Sequence, residues 1–290
     1  MNAEKQKEIE KLAVQIRMNV MKTIGSLGVG HVGGSLSVAD LLAVLYGDAM
    51  TYDSRNPQWE GRDWLVCSKG HAGPAVYSAL ALKGFFPEEE LLTLNRPGTN
   101  LPSHCDRRKT PGIDMTTGSL GQGASTAAGI AMGMQMDGKT NRVYLILGDG
   151  EVQEGQVWEM ALFAAQRKLD RLIAFVDYNH IQLDGFTDDI CSLGDLKEKF
   201  DAFGWFTQDI DGHDVAAISE AIDKARTQEG KPSMIILQTE KGHGWSEIAG
   251  KTNGHCPTVS KEQMESALAE MQAVYDSLLA GEEGEGTKEA

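Results

Sequence analysis

The sequence predicts one α/β domain, built as a doubly wound, mostly parallel sheet flanked by helices. Two apolar runs, VYLIL (143–147) and RLIAFVD (171–177), have the length and composition of buried strands. A segment with helical apolar spacing, 153–168, lies between them. Strand, helix and strand in this order form a β-α-β unit, which is typical of a parallel sheet.

The N-terminal part is predicted to form a helical cap on that sheet. Apolar residues recur at helical spacing over 4–24, and Gly25 is expected to end this helix. A glycine-rich connection follows. Ser37 is then expected to cap a helix over ADLLAVLYG, which Gly47 ends.

The later elements are predicted in the same way, from the spacing of apolar residues and from the positions of turn-forming residues. They are predicted, in chain order, as strand 64–68, helix 75–82, a glycine-rich turn and small-residue helix over 118–138, strand 143–147, helix 153–168, strand 171–177, helix 195–203, strand 205–210, helix 214–228, strand 233–239 and helix 261–279. Residues 1–280 are predicted to form one domain, and the acidic segment 281–290 lacks apolar anchors and is predicted to be disordered.

Composition excludes several classes of protein. The 290 residues are 41% hydrophobic and 24% charged, as in ordinary soluble domains. We expect no membrane span and no signal peptide, because apolar runs are short and the N-terminus is charged. The net charge of −15 argues against nucleic acid as a partner. Four scattered cysteines without a C-x-x-C pair indicate reduced thiols in a cytoplasm.

Polar residues at two strand ends predict the functional site. Gly148, Asp149 and Gly150 follow one buried strand, and Asn179 follows the next, with 28 residues between Gly150 and Asn179. A lone G-D-G is more typical of a tight turn. The second polar strand end, at Asn179, favours a ligand site over a turn alone. Neighbouring parallel strands bring such ends together, where glycines and a helix N-terminus receive anions. A carboxylate, an amide oxygen and a backbone carbonyl suit octahedral magnesium.

Five motifs now identify a family resemblance. The chain resembles the N-terminal, diphosphate-binding half of transketolases, and its fold is expected to be their thiamine-diphosphate-binding fold. The match covers roughly residues 10–260 in consistent order, through GHVGGSLS (30–37), SKGHAGPAVYSAL (68–80), MTTGSLGQG (115–123), the pair GDGEVQEG (148–155) and DYNHIQLDG (177–185), and NGHCP (253–257). Motifs in consistent order are far more specific than any one alone.

The resemblance implies thiamine diphosphate and Mg²⁺, or another divalent cation such as Ca²⁺ or Mn²⁺, as cofactors. The metal ligands it implies are Asp149, Asn179 and the carbonyl of Ile181. The implied cofactor-binding residues are His71, Gly118, Ser119, Leu120, Gly150, Glu154, Asn179 and His255, with Glu154 at the family's dimer contact. The implied catalytic residues are His31, His71, His104 and His255.

The implied activity is transfer of a two-carbon ketol unit from a ketose, such as a sugar phosphate, to an aldose. Histidine suits the required proton transfers near neutral pH, although a single histidine beside glycine is more often a packing residue. Ser103 and Cys105 flank His104 where the family usually has glycine and proline, which puts the usual sugar-phosphate specificity in doubt. His180 is expected behind the site, and His213 and His243 are interpreted as structural or surface residues.

The family's catalytic glutamate belongs to a second, pyrimidine-binding domain, and this sequence stops before it. The chain therefore resembles the N-terminal subunit of a split transketolase, whose partner in an α2β2 assembly is a C-terminal, pyrimidine-domain subunit. A truncated chain and a non-catalytic relic are the alternatives. Other hypotheses are a donor such as a sulfonated or branched sugar, a 2-oxo acid dehydrogenase subunit, a deoxyxylulose-phosphate synthase, and a cofactor-binding module without turnover.

Overall fold

A five-stranded parallel sheet forms the centre of the molecule. The computed structural model describes the backbone of residues 1–183 and 185–285. The strand order is β1-β2-β3-β7-β6, and every neighbouring pair is parallel. The strands are β1 (Trp64–Cys67), β2 (Val143–Gly148), β3 (Leu172–Tyr178), β6 (Phe206–Asp211) and β7 (Ser233–Gln238), and a separate hairpin pairs β4 (Ile181–Gln182) with β5 (Gly185–Phe186).

Helices cover both faces of this sheet. They are α1 (Ala3–Leu27), α2 (Gly33–Leu36), α3 (Ala39–Val44), α4 (Gly73–Leu82), α5 (Gln122–Met136), α6 (Asp149–Val152), α7 (Gly155–Gln166), α8 (Thr187–Cys191), α9 (Leu196–Ala202), α10 (Val215–Arg226) and α11 (Lys261–Glu285). The prediction of a disordered tail over 281–290 falls partly on 286–290, which lie outside the described residues, whereas α11 extends to Glu285.

The alternation of side chains along the strands divides the core into two layers. On β2, Tyr144 and Ile146 pack with α1, α3, α4 and α10. Val143, Leu145 and Leu147 face the other way, toward α5, α7 and α9. Because both faces of the sheet are buried by helices, the central strands β2, β3 and β7 are mostly apolar. The edge strand β6 alternates between buried and exposed positions. The doubly wound α/β fold predicted from the sequence is confirmed.

The direction of winding reverses once along the chain. The chain passes from β1 through β2 to β3, goes on to the edge strand β6, and returns through α10 to β7 between them. Helix α10 accordingly packs on the face opposite to α7 and α9. This arrangement places β2, β3 and β7 side by side, so the residues after these three strands meet at the carboxyl edge.

Two helix boundaries near the N-terminus differ from the prediction. Helix α1 passes through Gly25 and ends at Leu27, with Gly28 in the left-handed conformation (φ 85°) as its C-cap. Gly25 instead allows close packing of α11, since a Cβ there would lie 2.3 Å from the Met264 sulfur. Ser37 is the C-cap of α2, and Val38 rather than Ser37 is the N-cap of α3. The Ser37 hydroxyl donates to the Asp177 carboxylate at 2.7 Å instead.

Two further differences concern the end of one helix and the continuity of another. The helix expected to end at Gly47 continues from α3 into a π-helical turn over Leu45–Ala49. The helix predicted over 153–168 is divided into α6 and α7, and the break falls between Val152 and Gly155. In the described part of the chain, no helix is both long enough and apolar enough to cross a membrane.

Candidate active site

The ends of β2 and β3 bring the predicted metal ligands to one edge of the sheet. The two strands pair in register up to Gly148 and Asp177. Asp149 opens α6 directly after β2, and Asn179 and Ile181 follow β3. All three line the same cavity. The strand-end geometry expected from the sequence is therefore present.

Asp177 is fully buried and organises the floor of this cavity. One carboxylate oxygen accepts hydrogen bonds from Ser37 (2.7 Å), the Lys69 ammonium (2.5 Å) and the Asn179 amide nitrogen (2.8 Å). The other accepts from the Thr239 hydroxyl at 2.5 Å. Burial raises the pKa of Asp177, but the Lys69 charge and these hydrogen bonds outweigh it and lower the pKa. The Asn179 amide nitrogen is thus committed to Asp177, and its oxygen accepts the Ile181 amide proton at 3.2 Å. The second lone pair of this oxygen can face a ligand.

Asp149 is buried and accepts hydrogen bonds from neutral groups. Its carboxylate accepts from the Gly150 amide (2.7 Å) and from the Thr187 hydroxyl (3.2 Å). Burial, followed by the nearby Asp177 charge, raises the pKa of Asp149 to about 6. Two acidic groups in one buried pocket repel each other, so this site favours an added positive charge.

Glu151 links the end of β2 to the turn that precedes α5. Its carboxylate accepts from the Ser68 hydroxyl, from the Gly121 amide at 2.8 Å and from the Gly148 amide at 3.1 Å. Burial raises the pKa of Glu151. The turn requires glycine because φ is 145° at Gly118 and 82° at Gly121. Glu151 thus fixes the turn against the carboxyl edge of the sheet.

Four histidines from separate segments form a cluster above the strand ends. The ring centroid of His31 lies 5.2 Å from that of His71, 5.5 Å from His104 and 5.2 Å from His255. His71 and His255 are 5.3 Å apart, and His71 and His104 are 6.5 Å apart. Residues more than 200 positions apart in the sequence therefore meet in one group, with His31 at its centre.

The environment keeps these four rings neutral near pH 7. Burial lowers the pKa of each, and it is the largest cause in every case. For His255, burial and then the charge of Lys241 bring the pKa to about 4. The pKa of His71 falls well below its usual value, through burial and then the Lys69 charge. A neutral imidazole offers both a donor and an acceptor to a hydroxylated ligand.

The histidines and the strand ends enclose a single cavity of about 480 Å³. Its lining includes every predicted site residue except Ser119. Eight further residues line it: Gly34, Lys69, Gly148, Glu151, Gln153, Gln182, Leu183 and Lys241. The sequence analysis places Gly148 at the anion-receiving strand end, and it misses the other seven. Lys241 could have been found, because it lies in a glycine-flanked segment just after the last strand, at the same carboxyl edge. Its ammonium donates to the Ile181 carbonyl at 2.9 Å.

The remaining histidines lie outside this cavity lining. His180 is exposed, its ring lies tilted against Tyr178 with centroids 4.3 Å apart, and it contacts the Gln238 side chain at 3.1 Å. His213 and His243 stack on each other at 3.7 Å. Among the described residues, no group of three or more His, Cys, Asp or Glu side chains is arranged to hold a metal ion.

Comparison with known proteins identifies the family. Residues 9–274 match the family model described as "Transketolase, thiamine diphosphate binding domain". The chain belongs to the transketolase family. It is 54% identical, over 93% of its own length and 98% of the relative, to the 6-deoxy-6-sulfo-D-fructose transketolase subunit SqwG of Clostridium sp. (strain MSTE9). It is 37% identical to an apulose-4-phosphate transketolase subunit of Actinobacillus succinogenes, over 91% of the chain and 96% of the relative.

Solved transketolases share the fold over nearly the whole chain. The transketolase of Campylobacter jejuni superposes with a TM-score of 0.86 at 30% identity, over 94% of this chain and 43% of that structure. The chain thus spans less than half of the solved transketolases it matches, whereas it spans nearly all of the two subunits named before. The expected thiamine-diphosphate-binding fold is confirmed.

Proposed function

We propose that this transketolase-family chain is the N-terminal subunit of a split transketolase that transfers a two-carbon ketol unit from a ketose to an aldose. The convergence of four neutral histidines with the Asp149–Asn179 strand ends in one cavity carries the proposal. The hydroxyl-binding and the anion-binding groups are then adjacent. Such a site suits a polyhydroxylated substrate held against a diphosphate cofactor.

Residues at the strand ends fit a divalent cation, Mg²⁺ being our first candidate. The Asp149 carboxylate, the Asn179 amide oxygen and the Ile181 carbonyl are hard oxygen donors of the kind that Mg²⁺ prefers. The raised pKa of Asp149 reflects its burial close to a second carboxylate, that of Asp177. A metal ion would add positive charge there and offset the repulsion between Asp149 and Asp177.

The upper cavity fits thiamine diphosphate. The Nδ1 atom of His255 is buried without a hydrogen-bond partner among the described residues, so a bound group is needed to satisfy it. Gly150 keeps the floor open, because a Cβ there would lie 2.8 Å from the Gln182 Cβ. When bound, the cofactor supplies an acidic thiazolium carbon whose carbanion makes cleavage of a ketose C2–C3 bond possible.

The histidines are proposed to position the sugar and to move its protons. His31 contacts the other three rings, so a hydroxyl placed there can exchange a proton with His71, His104 or His255. Because all four have lowered pKa values, they enter the cycle as neutral bases. Lys69 and Lys241 add positive charge at the floor, which offsets the net charge of −15 for an anionic ligand.

We further propose that a pyrimidine-domain polypeptide completes the site in an α2β2 assembly. Two relatives that the chain matches over nearly their whole length are named as transketolase subunits. Leu120 and Leu183 are large apolar residues that line the cavity and are exposed. A second subunit over the cavity would cover them and exclude water. The four cysteines are unpaired, which is compatible with a cytoplasmic enzyme.

A sulfonated ketose is our first candidate donor. The relative with 54% identity carries 6-deoxy-6-sulfo-D-fructose in its name, whereas the apulose-4-phosphate subunits are 37% and 34% identical. A sulfonate carries one negative charge, while a phosphate monoester carries about −1.5 to −2 at pH 7. The chain's net charge of −15 repels the phosphate more strongly. A phosphorylated ketose is the second candidate.

Steady-state kinetics of the assembled complex decide between these donors. The complex is supplied with 6-deoxy-6-sulfo-D-fructose or with fructose 6-phosphate at equal concentration, with one aldose phosphate as acceptor. We expect kcat/KM to be at least about tenfold higher for the sulfonated donor, a difference of about 1.4 kcal/mol. A preference of similar size for fructose 6-phosphate would assign the phosphorylated donor. Absence of ketol transfer from either would contradict the proposed function.

A further inference from the structure

His213 lies outside the cavity lining, yet both of its ring nitrogens are engaged. Its Nδ1 lies 2.7 Å from an Asp40 carboxylate oxygen. Its Nε2 accepts the backbone N–H of Glu240 at 2.9 Å. An amide N–H can only donate, so Nε2 carries the lone pair and Nδ1 carries the proton that is donated to Asp40. The neutral Nδ1–H tautomer is therefore the one these contacts require.

Asp40 holds that tautomer from a buried position. Its carboxylate is paired in bidentate fashion with the Arg17 guanidinium. Burial raises the pKa of Asp40, but the Arg17 charge and the His213 hydrogen bond outweigh it and lower the pKa to about 2. A permanently ionised Asp40 selects the imidazole form that keeps a lone pair on Nε2, as second-sphere carboxylates do for histidine.

Glu240, whose backbone N–H donates to His213, lies in the sequence between two residues that contact the site. Thr239, on one side of Glu240, donates to the buried Asp177. Lys241, on the other, donates to the Ile181 carbonyl, one of the proposed metal ligands. Two buried carboxylates thus fix successive residues of one loop, Asp177 directly and Asp40 through His213. The contact to the Glu240 amide is made by a side chain that lies outside the cavity lining.

We propose that His213 is a positioning residue for the cofactor site: by accepting the Glu240 amide proton, it holds Lys241 and the Ile181 carbonyl in place for the metal–diphosphate group. This inference rests on the proposed function, which places a metal and a diphosphate at the strand ends. It adds a role for His213, a residue outside the cavity lining. His213 acts through the backbone of Glu240, not through its own charge.

Three substitutions at position 213 separate the two hydrogen bonds. His213→Gln places an amide oxygen near Nε2 and keeps an acceptor for Glu240. His213→Asn places its amide near Nδ1 and keeps a donor for Asp40. His213→Phe keeps the ring and loses both. His243→Phe is the matched control. The His243 ring stacks on His213 and contacts the Glu240 carboxylate at 3.3 Å, whereas the Glu240 amide donates to His213.

Hydrogen–deuterium exchange of the full chain without cofactor gives a readout independent of activity. We expect amides of residues 239–242 to exchange at least about tenfold faster in His213→Asn and His213→Phe than in wild type, since the loop loses its anchor. His213→Gln and His243→Phe should exchange at nearly the wild-type rate. Equal exchange in all variants would overturn the proposal.

Titration of thiamine diphosphate at saturating Mg²⁺ into the complex with the partner subunit completes the test. We expect Kd to rise at least about tenfold for His213→Asn and His213→Phe, and to stay within about threefold for the Gln and control variants. If the Gln variant binds as weakly as the Phe variant, ring packing rather than the acceptor matters and the inference is wrong. If wild type itself does not bind, the proposed function fails, while exchange still decides the loop contact.

Discussion

Among single residues, Asp149 has the most direct consequence for cofactor binding. Asp149→Asn keeps the side-chain volume and removes the charge proposed to hold the metal. Uncompensated burial of a charged diphosphate costs about 3–5 kcal/mol. We therefore expect calorimetry of the complex to show Mg²⁺-dependent binding of thiamine diphosphate weakened at least about 100-fold. Asp170→Asn is the control, because Asp170 precedes β3 at the opposite edge of the sheet. Unchanged affinity in Asp149→Asn would contradict the metal assignment.

The histidine cluster should serve turnover more than folding. Alanine at His31, His71 or His255 removes a group proposed to handle substrate protons, so kcat/KM should fall about 10²–10⁴-fold. The melting temperature should change little, because none of the three side chains is fully buried. His180→Ala is the control, since this exposed ring lies outside the cavity lining. Loss of stability with full activity of the folded variants would instead show a packing role.

The lowered pKa of His255 predicts how stability depends on pH. Burial, followed by the Lys241 charge, lowers its pKa in the folded chain to about 4, from 6.5 for a free histidine. Between these values the unfolded chain binds a proton that the folded chain does not. The contribution of neutral His255 to the free energy of unfolding is present above pH 6.5 and is lost as the pH falls toward 4. The unfolding free energy from urea titration should therefore drop less between pH 7 and pH 5 in His255→Asn than in wild type. Equal drops would contradict this.

Sequence reasoning found the proposed ligands of the site but not the residues that hold them. Asp149, Asn179 and the histidines stand in motifs whose composition already indicates chemistry. Asp177 and Glu151 are acidic residues within the same motifs, and only the fold shows that their oxygens are surrounded by donors. For His213 the sequence indicates no more than a structural or surface role. Its partners, Asp40 and Glu240, come from distant segments, so no local pattern could connect them.

Among helices and strands, α5 presents an unpacked face of small residues. Gly129 and Gly133 would each place a Cβ in open space, with nothing within 4 Å. Glycine inside a helix costs about 1 kcal/mol relative to alanine, and the chain's own packing does not require it here. The neighbouring Met136 is exposed. We propose that α5, with the segment around Glu154, packs closely against another subunit.

Substitutions on this helix test that contact. Gly129→Gln and Gly133→Gln should leave the melting temperature of the isolated chain unchanged or slightly higher, because helix propensity improves. Sedimentation should show assembly with the partner subunit weakened at least about tenfold, since bulky side chains block close approach. Gly133→Ala, which adds only a methyl group, is the control. Normal assembly of both Gln variants would exclude α5 from the interface.

The sequence predicts the five strands of the parallel sheet to within one or two residues, and the helix ends less well. The short hairpin of β4 and β5 is not predicted. Strand signals come from continuous apolar runs, and β2, β3 and β7 lie where these runs place them. A helix end is predicted at Gly25 because glycine often provides one. That glycine instead allows close contact with Met264, which is more than 200 residues away in the sequence. Boundaries set by tertiary packing cannot be read from local sequence.

For the molecule as a whole, the fold and the site both support completion of the site by a second polypeptide. The two wound faces of the sheet bring the ends of β2, β3 and β7 together under four histidines. The site is open on the side where Leu120 and Leu183 are exposed. The chain spans less than half of the solved transketolases compared with it, but nearly all of two transketolase subunits. Our central claim is that a second polypeptide completes this site.

Ketol transfer by the purified chain, measured with and without its pyrimidine-domain partner, tests that claim most directly. Donor, acceptor, Mg²⁺ and thiamine diphosphate are present in both assays, and native mass measurement records which polypeptides are bound. We predict no turnover by the chain alone, and turnover by a complex of two copies of each chain. Sustained ketol transfer by this chain alone, at a mass that includes no other polypeptide, would contradict the claim.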